Sequence, residues 1–78
     1  MTENLDEKME IAKNILGILD EEGEMRWTPL TKAVVHLSPS PYKSQVMISW
    51  LLRGGYVERR VRGRYNITEK GRGLLRVL

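Results

Sequence analysis

Apolar residues recur along the first third of the chain at three- and four-residue intervals, namely Leu5, Met9, Ala12, Ile15, Leu16 and Leu19, with charged residues between them. That period predicts an amphipathic helix over residues 6–22, with Gly23 placed to end it. Ile11 and Ile18 lie off the main stripe and widen the apolar face enough for packing on two sides. Met25 to Trp27 is too short for a helix and reads as a minor strand or extended link. Thr28-Pro29 then offers a cap followed by proline at the first helical position, so a second helix is expected over residues 29–35 with Leu30, Ala33 and Val34 inward.

The connection Ser38-Pro39-Ser40-Pro41 contains two serines able to cap the next helix, and the second Ser-Pro pair places helix 3 at residues 41–53, with Gly54 as its stop. On a helical wheel Ser44, Met47, Ile48, Leu51 and Leu52 share one face, and Tyr42, Gln45, Val46, Ser49 and Arg53 the other. Lys43 and Trp50 fall at the margins, and Trp50 is expected to pack on helix 2. The period then shortens to two. Val57 and Val61 alternate with polar neighbours, Arg62-Gly63 can supply a turn, and Tyr65 and Ile67 resume the alternation. This predicts a two-stranded ribbon over residues 56–67 with one apolar face, which must rest on the helices because an isolated hairpin is marginal in water. Thr68 caps a last helix with Glu69 in its first turn. Gly71 and Gly73 weaken that helix, so packing of Leu74, Leu75, Val77 and Leu78 on helix 1 or on a second subunit must hold it.

Seventy-eight residues, 41% of them hydrophobic, make one domain spanning residues 1–78 of α+β, mostly helical class. With no cysteine, neither disulfides nor thiolate metal sites are expected, and a single histidine, His36, reads as a surface or packed residue, so no metal or cofactor is predicted. The N-terminus lacks a basic region followed by an apolar run, and the densest apolar stretch, residues 46–52, is short. The sequence therefore predicts a cytoplasmic protein with no membrane span.

Charge changes the picture more than composition does. Residues 1–24 carry eight acids against two lysines, whereas residues 25–78 carry eleven lysines and arginines against Glu58 and Glu69. Such a division favours a polyanion for the C-terminal two-thirds and a solvated acidic face for helix 1. No arrangement of nucleophile and base, phosphate-binding glycine pattern or inward carboxylate cluster points to catalysis, so an enzyme is not expected. Arg59, Arg60, Arg62 and Arg64 crowd about the ribbon's tip and suit phosphates, with Arg62 and Arg64 beside the turn the strongest candidates. Tyr42, Gln45, Ser49 and Arg53 on the outer side of helix 3, with Lys43 at its margin, are candidates for base edges or adjacent phosphates. A helix of 13 residues is roughly 20 Å long and fits a major groove about 12 Å wide.

The runs ISWLLRGGYVE (residues 48–58) and YNITEKGRGLL (residues 65–75) resemble the recognition-helix end, wing and last helix of archaeal winged-helix transcriptional regulators. The likeness covers residues 44–75 by motif and residues 9–37 by order of elements. It implies a winged helix-turn-helix with a three-helix core, a two-stranded β-wing and a C-terminal helix. It also implies helix 3 in the major groove of double-stranded DNA, the wing on the backbone or minor groove, and a homodimer through the terminal helices. Ser44 departs from the pattern, standing where the family usually has an aliphatic residue, and the Ser-Pro-Ser-Pro connection is unusual. The resulting expectation is a nucleoid-associated transcriptional regulator. Two alternatives stay open: a protein-interaction module of the transcription or replication machinery, and a sequence-indifferent architectural protein.

Overall fold

The computed structural model describes residues 2–37 and 41–78, with side chains from residue 7 onward in the first helix. Four helices and a small sheet follow in the order α1 (Thr2–Glu22), β1 (Met25–Arg26), α2 (Trp27–Leu37), α3 (Pro41–Arg53), β2 (Val57–Arg60), β3 (Arg64–Ile67) and α4 (Glu69–Val77). α1 is the hub. Ile11, Ala12, Ile15, Leu16 and Leu19 are fully buried, and the helix packs against α2, α3, α4 and β3, which is why its apolar face had to be wide. Ile11 thus belongs to the core and Ile18 to its margin. The helix starts at Thr2, four residues before the expected Asp6, and ends where Gly23 donates its N–H to the Leu19 carbonyl.

α2 is longer at both ends than expected: it begins at Trp27, so Thr28 lies inside the first turn and is not the cap. Pro29 is tolerated there because first-turn amides have no intrahelical acceptor. Leu30 and Val34 are buried, whereas Ala33 is only half-buried. Trp27 extends toward the sheet, its ring 5.6 Å from that of Tyr65. The choice between Ser38 and Ser40 as cap of α3 falls outside the described residues, but the bounds of α3 are those expected. Ser44, Met47, Ile48 and Leu51 face inward. Ser44 is 1% exposed and its Oγ has no hydrogen-bond partner among the described residues, which costs about 1–3 kcal/mol where an aliphatic group would cost nothing.

α3 closes in a Schellman arrangement: Tyr56 N–H reaches the Leu51 carbonyl (2.9 Å) and Gly55 N–H the Leu52 carbonyl (3.2 Å). The left-handed residue is Gly55, at φ 79°, one position after the glycine expected to stop the helix. The chain then enters the sheet, which has three strands where two were expected, in the order β1-β3-β2 and antiparallel throughout. β1, read from sequence only as a minor strand or link, pairs Met25 with Tyr65 and Arg26 with Arg64. β2 pairs Val57 with Ile67, Glu58 with Asn66, Arg59 with Tyr65 and Arg60 with Arg64. Val57, Tyr65 and Ile67 form the buried face. Val61 does not join it: it sits in the turn Val61–Gly63 and is 83% exposed. The alternation broke there because the turn takes three residues, leaving Val61 without a cross-strand partner.

Thr68 caps α4 as expected, its Oγ1 accepting from Gly71 N–H at 3.0 Å. Val77 remains 78% exposed, while Leu74, Leu75 and Leu78 pack on the core and Arg72 pairs with Asp20 of α1 at 3.1 Å. Gly71 is set against the chain leaving α3. A Cβ there would overlap the Tyr56 carbonyl and lie 2.8 Å from Ile67 Cγ1, whereas one at Gly73 would meet nothing within 4 Å. Gly71→Ala is therefore expected to destabilise the protein by about 2 kcal/mol or more, and Gly73→Ala to stabilise it by up to about 1 kcal/mol. Urea denaturation of the two variants checks this, and equal effects would contradict the packing described.

Candidate nucleic-acid interface

The Schellman end of α3 and the N-terminus of α4 are tied into one joint, which sets where the hairpin starts relative to α3. Thr68 N–H donates to the Tyr56 carbonyl (3.1 Å), and the single Oγ1 proton is shared between the carbonyls of Gly55 (2.7 Å) and Tyr56 (3.0 Å). Lys70 Nζ donates to the Gly54 carbonyl at 2.7 Å and sits 4.8 Å from the centre of the Tyr56 ring. The other partner of that ring is Trp50, stacked at 5.5 Å and 13°, so Trp50 packs on Tyr56 at the base of the hairpin. The tight turn after Arg53 brings Tyr56 back alongside the helix and makes this stacking possible.

All five residues predicted on the outer side of α3 are exposed: Tyr42, Gln45, Val46, Ser49 and Arg53. Gln45 borders an open groove of about 360 Å³ between α2 and α3, with Thr31, Lys32, Val35, His36 and Pro41. His36 is exposed there, in keeping with its reading as a surface residue. Tyr42 and Val46 border a second groove, about 330 Å³, whose opposite wall is Glu7 and Lys8 of α1. Across it Lys43 Nζ meets Glu7 Oε1 at 2.6 Å. The acidic face of α1, expected to be merely solvated, thus reaches the N-terminal edge of α3.

The hairpin arginines divide by strand parity. Arg59 lies opposite Tyr65, on the side of the sheet that carries Val57 and Ile67, but beyond the core where it is exposed. Arg60 and Arg64 lie opposite one another on the outer side. Arg60 Nε and Nη2 both bond Glu58 Oε2 (3.1 and 3.0 Å), two residues back along the same strand face. Arg64 Nη1 approaches Glu24 Oε1 at 3.5 Å. Arg53, Arg59 and Arg62 meet no acid within ion-pair distance among the described residues. Arg62 stands at the tip with φ 65° and ψ 27°, followed by Gly63 at φ 66°. Arg62-Gly63 thus lies in the turn as expected, both residues left-handed, and at the first of them asparagine or glycine would be the favoured residue. An arginine there costs of order 1 kcal/mol.

Four acids hold basic side chains, Glu7, Asp20, Glu24 and Glu58, and none of them is among the residues expected at the site, nor is Arg26. The Glu58–Arg60 spacing on a strand was a usable signal; Glu7 and Glu24 meet their partners only through tertiary packing. Among the described residues no group of three or more histidine, aspartate or glutamate side chains could hold a metal ion, and no helix is long and apolar enough to cross a membrane. No protein-family model matches the chain, and neither a curated protein nor a solved structure matches it.

The exposed ion pairs contribute at most about 1 kcal/mol each, so an incoming anion can displace them. If this surface takes a duplex, removing the carboxylate opposite Lys43 by Glu7→Gln leaves the thermal midpoint nearly unchanged and raises affinity for mixed-sequence duplex DNA several-fold at low salt. Fluorescence anisotropy checks this, and unchanged affinity would remove the N-terminal edge of α3 from the interface.

Proposed function

We propose that the protein binds double-stranded DNA as a winged-helix transcriptional regulator, with the outer side of α3 in the major groove and the hairpin as a wing on the backbone or minor groove. One observation carries the reading: Arg62 occupies a left-handed tip position that favours asparagine or glycine, next to a hairpin already crowded with arginines. Backbone strain kept in place of a cheaper residue points to a use for the side chain, and a guanidinium at a projecting tip suits a phosphate. Exposure of Tyr42, Gln45, Ser49 and Arg53 along α3, and the joint that ties α3 to the hairpin, support the same reading. The resemblance of residues 44–75 to archaeal winged-helix regulators adds to it.

A homodimer is part of the proposal, since one small module offers limited contact area and specific binding commonly pairs two half-sites. Val77, 78% exposed at the end of α4, lies on one of the two helices such a contact would use. A second reading has its own support. Tyr42, Val46 and Trp50 recur at four-residue intervals on α3 and are 77%, 40% and 41% exposed, an apolar stripe that a protein partner could cover.

Anisotropy titration with mixed-sequence duplex at two salt concentrations separates the readings; no affinity at low salt leaves the interaction module. Arg62→Ala with Arg64→Ala is expected to weaken binding to all sequences alike and to flatten the log–log salt dependence by about 1.8, at about 0.9 per phosphate. Gln45→Ala should instead alter preference among sequences. Affinity and salt slope untouched by the arginine pair would refute the role given to the hairpin.

A further inference from the structure

Strand pairing sets three arginines side by side across the whole sheet: Arg26 on β1 is opposite Arg64 on β3, which is opposite Arg60 on β2. Directly paired residues share a face, so all three belong to the outer side, and all three are exposed. Like charges placed opposite one another oppose sheet formation. Glu58 relieves Arg60 and Glu24 relieves Arg64, but Arg26 meets no acid within ion-pair distance among the described residues. Glu24, Val61 and Arg62 also line an open hollow of about 320 Å³ with two members of the row, Arg60 and Arg64. The row spans two strand spacings, roughly 9.5 Å, and each member presents a planar fork of donors matched to a tetrahedral oxyanion.

We infer that Arg26, Arg64 and Arg60 form a phosphate-binding row on the outer side of the sheet, which engages successive backbone phosphates of the duplex outside the groove read by α3. Arg26 is the new contact. The inference rests on the DNA-binding reading above for the identity of the phosphates, but the row itself is a property of the strand register. Anion binding would replace the Glu24 and Glu58 carboxylates and cancel the repulsion that the free protein carries.

The test compares the wild-type chain, Arg26→Gln and, as a control for generic charge, Arg76→Gln on the exposed end of α4. Mixed-sequence duplex is titrated over a range of salt, and thermal midpoints are taken with and without inorganic tripolyphosphate. Arg26→Gln should fold at least as stably as the wild type and flatten the salt slope by about 0.9, with Arg76→Gln leaving the slope unchanged. A slope equal to the wild type's in Arg26→Gln, or an equal loss in Arg76→Gln, overturns the row as a duplex contact while leaving the DNA-binding reading intact. If the wild-type chain binds no duplex, that reading fails and tripolyphosphate decides the row alone. A rise in midpoint that Arg26→Gln abolishes sustains an anion site, and a rise that it retains, or no rise at all, overturns it.

Discussion

The joint between the end of α3 and the start of α4 is the constraint on which the rest of the molecule depends. Within it Thr68 bonds the carbonyls of Gly55 and Tyr56, Gly71 lies too close for any side chain, and Lys70 and Trp50 both lie against the Tyr56 ring. A hairpin of four-residue strands has little to hold it in place alone. Fastening both of its ends, one to α3 and one to α4, converts it from a marginal ribbon into a fixed projection. β1 adds a third strand and Trp27 a ring against Tyr65, bracing the side of the sheet away from α3. Any function that uses α3 and the hairpin together needs this fastening, because the relative position of the two decides which surface they share.

The charges follow a second logic. The described acids of residues 1–24 are exposed, as expected, but three of them, Glu7, Asp20 and Glu24, also reach across to a basic side chain of a later element. Three of these four ion pairs, counting Glu58 with Arg60, fall on residues assigned to the proposed interface. Being exposed and weak, they hold the cations in ordered positions without removing them from competition by a stronger anion. Under the proposed reading, the protein trades internal carboxylates for phosphates on binding, and its net charge of +3 understates the field at the hairpin.

Helix periodicity was legible because burial enforces it: the inward and outward residues of α3 and the extra width of α1 were readable from spacing alone. Turn chemistry was legible where one residue type dominates, as in Arg62-Gly63 and Thr68. Features that depend on chain segments far apart were not. Nothing local told that Met25-Arg26 would pair with β3, and without that pairing Arg26 had no neighbours to give it meaning. The stacking of Trp50 on Tyr56 is likewise not local, since it depends on a Schellman turn that runs one residue beyond the expected stop at Gly54. Val61 was placed on the apolar face by extending an alternation through what proved to be the turn. The buried Ser44 Oγ, without a partner among the described residues, by contrast matches the departure seen at that position in the sequence.

The central claim is that the outer side of α3 and the arginine hairpin act as one surface for a nucleic-acid duplex. Backbone amide spectra of the isotope-labelled chain, recorded while mixed-sequence duplex is added at low salt, test it most directly. The account predicts that the largest perturbations fall together on residues 42–53 and 59–64, saturating at the same duplex concentration, with residues 10–22 of α1 little affected. Perturbations confined to α1 or α4, or to only one of the two predicted segments, would contradict it.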